Sequence, residues 1–114
     1  MPVSDAVRIR HMLEAARDAA KFVSDRSRSD LDSDRMLSFA LIRLLEIVGE
    51  AARGISPALR AAHPEIPWAR VAGMRDRLIH GYFDVNLDVV WETITRDLPE
   101  LAAKVERIAA GHLE

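Results

Sequence analysis

Between residues 36 and 52 only Ser38, Arg43, Glu46, Gly49 and Glu50 are not apolar, and this run constrains the fold more than any other stretch. A helix of that composition carries too much apolar surface for one buried face. Arg43, Glu46 and Glu50 fall on one narrow stripe at steps of three and four, which leaves apolar surface on both flanks. In a small bundle, a helix that is apolar on two sides has two partners, one inside the domain and one across an interface. The run therefore predicts a helix over about 34–53 and a homodimer built on it, with Leu41 and Leu45 as positions where a charge breaks either the core or the interface. Gly49, costly inside a helix, marks a place where another backbone comes close. The polar stripe reads in two ways. It is an intrahelical salt-bridge face pairing Arg43 with Glu46 and Glu50, or it lines a pocket in which Arg43 and Glu50 contact substrate.

The rest of the chain supplies partners for this helix. Ile9, Met12, Leu13, Ala16, Ala19, Ala20 and Val23 recur at three- and four-residue steps, which predicts a helix over about 5–26 with Ser4 or Asp5 as its cap. The polar run 24–34 reads as a loop in which Ser27, Ser29, Asp30, Asp32 and Ser33 compete for backbone hydrogen bonds. Gly54 ends the second helix, Ser56 and Pro57 open a short one to Ala62, and Pro64 stops it after His63. Pro67 opens a further helix, anchored in the core by Trp68 and ended by Gly81. Asn86 caps a last helix whose Leu87, Val90, Trp91, Ile94, Leu98, Leu101, Val105 and Ile108 keep one face through Pro99, so the proline predicts a kink rather than a break, and Gly111 is the end. The expected fold is all-α: an up-and-down four-helix bundle with an additional short helix, in one domain over residues 1–114.

Composition removes several function classes. With no cysteine there is no disulfide framework and no thiol chemistry. A net charge of −2 gives no global field toward nucleic acid, so any RNA contact is local. His11 has no second ligand at metal-binding spacing and reads as a surface or packing residue, and no metal or cofactor is expected. The N-terminus has no apolar targeting region and no run approaches a membrane span, which points to a cytoplasmic protein.

The groups capable of chemistry collect in Arg75-Asp76-Arg77-Leu78-Ile79-His80-Gly81-Tyr82. With Gly81 ending the helix, His80 falls in its last turn, where the negative end of the helix dipole favours the protonated imidazole. Arginine and histidine are also favourable at a helix C-terminus for capping alone. On an ideal helix, five residues mean about 140° of rotation and ~7.5 Å of rise. Arg75 and His80 thus share no face, and converge only through the reach of the arginine or through a second chain.

These residues resemble a known family. Arginine, four residues, histidine, any residue and tyrosine, here Arg75, His80 and Tyr82, is the signature of the HepT-like toxins of the HEPN superfamily. The resemblance extends through Ile47-Val48-Gly49-Glu50-Ala51-Ala52, His63-Pro64-Glu65-Ile66-Pro67-Trp68, Gly73-Met74-Arg75, Ile79-His80-Gly81-Tyr82-Phe83, Val90-Trp91 and Asp97-Leu98-Pro99-Glu100-Leu101. It implies a metal-independent endoribonuclease toxin, without a cofactor, acting as a dimer with the two motif regions facing each other. It also implies an antitoxin of the minimal nucleotidyltransferase (MNT) type that silences the toxin by adenylylating Tyr82. In such an enzyme His80 moves the 2′-hydroxyl or leaving-group proton and Arg75 holds the phosphorane charge. The products are a 2′,3′-cyclic phosphate and a 5′-hydroxyl, with tRNA as a candidate substrate. Arg70 and Arg77 are candidates for further phosphate contacts. From other classes, a non-catalytic binding partner or modification substrate of a nucleotidyltransferase, and a purely structural dimeric bundle, answer to the same helices.

Overall fold

The computed structural model describes residues 3–78 and 84–112, with the side chain of residue 112 excepted. The fold is all-α, built on three long helices: α1 (Val3–Phe22), α3 (Arg35–Arg53) and α8 (Leu98–His112). The α1 helix packs against both α3 and α8, and its core positions Ile9, Met12, Leu13, Ala16 and Ala19 repeat at helical spacing. It ends four residues before the expected position 26, because the chain reverses through Asp25 at a φ of 61°, a left-handed conformation that a short polar side chain tolerates. The polar run that follows holds a single turn, α2 (Asp30–Ser33), whose Leu31 plugs the core. Asp30 accepts from the Ser27 N–H at 2.7 Å, the local competition for backbone groups that such residues favour.

Asp34 caps α3 by accepting from the Leu37 N–H at 3.0 Å. That hydrogen bond, joined by the Arg26 guanidinium, holds the Asp34 carboxyl below the usual carboxylate range. At the other end of α1, the buried Asp5 accepts the Ser56 N–H at 2.9 Å and the Ser56 hydroxyl at 2.6 Å. Its carboxylate is thereby satisfied and ties the start of α1 to the turn that opens α4 (Pro57–Ala62), where Ser56 also caps Leu59.

The second half of the chain departs from the sequence reading at several points. Pro67 is the residue before the next helix rather than its first, and the helix itself is broken: α5 (Trp68–Ala72) and α6 (Met74–Leu78) are separated at Gly73. Glycine is the weakest helix former after proline, and the break costs little there. The last helix begins as α7 (Leu87–Glu92), capped by Asn86, and widens into a π turn (Thr93–Asp97) before α8. Within it the Leu98 N–H reaches back to the Thr93 carbonyl. Pro99 has no N–H and its ring crowds the carbonyl four residues earlier, so the wider turn absorbs what the sequence reading treated as a kink. The apolar face continues unslipped, with Val90, Ile94, Leu98, Leu101, Val105 and Ile108 all buried. The helix runs one residue beyond Gly111.

Leu41 and Leu45 are both fully buried, so they belong to the core and to no interface. Hydrophobic periodicity alone does not say which flank of an apolar helix faces its own domain. The uncovered flank of α3 is at its N-terminal half, where Met36 is 83% and Phe39 59% exposed, with Arg35 over the Phe39 ring. Among the described residues, no helix is long and apolar enough to cross a membrane.

Candidate active site

Arg75 lies in α6, which the chain presses against the middle of α3. Gly49 faces α5 at close range: a methyl group on it would sit in van der Waals contact with the Val71 carbonyl at 3.4 Å and the Ala72 carbonyl at 3.5 Å. The close backbone approach read from Gly49 is therefore present, and its partner is α5. One turn further on, Arg53 donates from Nη2 to the Ala72 carbonyl at 3.1 Å, satisfying one of the free carbonyls at the end of α5. Trp68, buried as expected, donates its indole N–H to the His63 carbonyl at 3.0 Å and fixes the start of α5.

With the backbone held in this way, Arg75 Nε reaches Glu46 Oε2 at 3.2 Å. The intrahelical pairing of Arg43 with Glu46 and Glu50 does not form. Glu46 is taken by Arg75, Glu50 pairs with Arg53 at 3.4 Å, and Arg43 has no ion-pair partner among the described residues. The stretch from Glu46 to Arg53 thus reaches α6 through Glu46 and the end of α5 through Arg53, and keeps one pair, Glu50 with Arg53, within α3.

The other candidate residues fall elsewhere. Two residues apart on a helix means about 200° of rotation, so Arg77 faces away from Arg75. Arg77 donates to the Arg70 carbonyl at 2.7 Å, and both arginines line a pocket of about 210 Å³ floored by Val71, Met74, Leu98 and Leu101 and shared with Lys104, Asp97 and Glu100. Arg43 and Glu50 line an open groove between α1 and α3, beside Arg8 and His11. The structure thus joins Arg75 to Glu46 but separates it from Arg70 and Arg77. His80, Gly81 and Tyr82 lie outside the described residues, as do the end assigned to the motif helix and the dipole effect on His80. The Asn86 N–H donates to the Leu78 carbonyl at 3.1 Å, joining the residues on either side of that segment. Among the described residues, no group of three or more histidine or carboxylate side chains is arranged to hold a metal ion.

Glu46 is the residue that the sequence reading did not single out as functional. Its signal was present in the stripe with Arg43 and Glu50, but a pairing across 29 positions leaves no periodic trace.

Known proteins bear on this arrangement. The family model described as "Ribonuclease HepT-like" matches residues 12–108. A protein of Thermococcus cleftensis named "Probable ribonuclease HepT" is 41% identical over 100 residues, covering 84% of this chain and 91% of its own. A protein of Caldanaerobacter subterraneus subsp. tengcongensis, named as a candidate RNase, is 40% identical over 100 residues, 88% of this chain and 89% of its own. Another candidate RNase, from Methanocaldococcus jannaschii, is 36% identical over 95 residues, 83% and 87% of the two chains. No solved structure matches. The family match spans the α3 stripe, α5, α6 and the whole Arg75 to Tyr82 stretch, and the relatives run over most of both chains: this protein belongs to the HepT-like ribonuclease family.

Proposed function

We propose that the chain is a metal-independent endoribonuclease, the toxin of a toxin–antitoxin pair, in which Arg75 and His80 cleave RNA. The observation that carries the reading is the family match across the whole motif, joined to an Arg75 that is half-exposed on α6 and held by a carboxylate behind it. In the reaction the 2′-oxygen forms a bond to phosphorus as its proton leaves, the bond to the 5′-oxygen breaks, and that oxygen takes up a proton. His80 is the group for proton transfer near neutral pH. Arg75 stays charged throughout and makes paired hydrogen bonds to the phosphorane oxygens. The test is to incubate the purified, unmodified protein with total RNA, tRNA included, in EDTA. Fragments ending in a 2′,3′-cyclic phosphate and beginning with a 5′-hydroxyl are expected. Intact RNA overturns the reading and leaves a non-catalytic partner of a nucleotidyltransferase, whereas cleavage only with added metal overturns the metal-independent mechanism.

The enzyme works as a homodimer in this proposal. Met36 and Phe39 are large apolar side chains left open on α3, and the helical stripe they begin runs on through Arg43 to Glu46, next to Arg75. A second copy seated there brings the two motif regions face to face. By light scattering the wild-type chain is expected to be a dimer at micromolar concentration, and Phe39→Glu a folded monomer with reduced cleavage. A wild-type monomer removes the shared site.

The remaining partner in the proposal is an MNT-type nucleotidyltransferase antitoxin acting on Tyr82.

A further inference from the structure

We infer that Glu46 is a positioning residue for Arg75, fixing the guanidinium from its side so that the outer edge of the fork is presented to the RNA phosphate. This rests on the ribonuclease reading and goes beyond it. Arginine has five N–H donors, one on Nε and four on the two terminal nitrogens. Glu46 takes the Nε hydrogen at 3.2 Å, and among the described residues nothing engages the terminal nitrogens of Arg75. Those are the two atoms that make a bidentate contact with phosphate.

The burial of the pair runs in the same direction. The Glu46 side chain is 26% exposed and that of Arg75 54%, so the carboxylate sits on the protein side and the cation outside it. An acid placed beyond the arginine would repel the phosphorane; placed behind it, the acid orients without competing.

The backbone is registered by the same helix. Glu46, Gly49 and Arg53 follow at steps of three and four, and each meets the α5–α6 segment: a side chain to Arg75, a missing side chain against Val71 and Ala72, and a guanidinium on the Ala72 carbonyl. An arginine on a five-residue helix would otherwise sample many rotamers of a long stem. Two fixed backbone points and one fixed side-chain point reduce that freedom before substrate arrives.

The test is steady-state RNA cleavage by the full chain carrying Glu46→Ala, Glu46→Gln, Arg75→Ala, or Glu46→Ala with Arg75→Ala. In Glu46→Ala, kcat is expected to fall about 10- to 100-fold, as for a misplaced catalytic group, with KM little changed. The amide oxygen of Glu46→Gln still accepts from Nε and should restore most of kcat, whereas a bulk-charge or merely structural role leaves the Gln variant as slow as the Ala variant. The double variant should be no slower than Arg75→Ala alone. If Glu46→Ala melts early, Glu46→Asp takes its place and should show the same fall in kcat, since its carboxylate stops one methylene short of Arg75. Wild-type kcat in folded Glu46→Ala or Glu46→Asp, with Arg75→Ala inactive, overturns the positioning role and leaves the ribonuclease reading standing. A wild-type chain that does not cleave RNA overturns both.

Discussion

Replacing Arg75 or His80 by alanine is expected to slow RNA cleavage by about 10²–10⁴-fold while leaving the helical fold in place. The separation of the two effects follows from where Arg75 sits. Its side chain is 54% exposed and its ion pair with Glu46 is open to solvent on the arginine side, and pairs of this kind contribute about 0–1 kcal/mol to stability. The core beneath it, Met74 and Leu78 against α3, is not touched by the substitution. Arg75→Lys is not a conservative control here: a lysine keeps the charge but offers no flat fork, so it should recover little of the lost rate. Circular dichroism and a thermal melt establish the fold, and initial rates on RNA in EDTA establish the chemistry. Wild-type rates in a folded Arg75→Ala or His80→Ala variant would remove these residues from the catalytic step. In cells the same variants should no longer arrest growth.

The parts of this molecule that could be read from the chain are those with a local cause. Asn86 and Ser56 announce helix starts because a short polar side chain satisfies the free N–H groups of a first turn, and each is found doing so. Gly49 could be read as a close approach because a glycine inside an apolar helix has few other reasons to be there. Trp68 could be read as an anchor because so large a ring is rarely left in solvent. What stayed hidden depends on contacts between distant residues. Periodicity ran straight through Gly73, since α5 and α6 keep a helical sense on either side of the break. It also gave Leu41 and Phe39 equal standing on α3, although one is fully buried and the other is 59% exposed, because which flank meets α1 is decided by the rest of the fold. The Arg75–Glu46 pair is the same case at the site: each residue belongs to a plausible local pattern, and only the packing of α6 on α3 brings them together. His80 and Tyr82 rest on the motif and the family.

Tyr82 carries the second large effect. It is the only tyrosine in the chain, so modification of a tyrosine hydroxyl can have one address. Co-expression with the cognate nucleotidyltransferase and ATP should yield a protein heavier by one or more adenylyl units, each attached through a phosphodiester bond, with pyrophosphate released. Tyr82→Phe keeps the ring and removes the hydroxyl that forms this bond, so it should abolish the addition. The modified chain should lose RNA cleavage, because the new phosphodiester brings a negative charge and a nucleoside into the Arg75-to-Tyr82 segment, where a substrate phosphate must meet the terminal nitrogens of Arg75. Unlike an adenylylated protein, Tyr82→Phe should remain a toxin in the presence of the partner, as long as the hydroxyl takes no part in cleavage. Comparing cleavage by unmodified wild type and by Tyr82→Phe separates that requirement from the switch. The same adenylyl addition on the phenylalanine variant in intact-mass spectra, or none on wild type with ATP and the partner present, would leave neutralisation to binding alone.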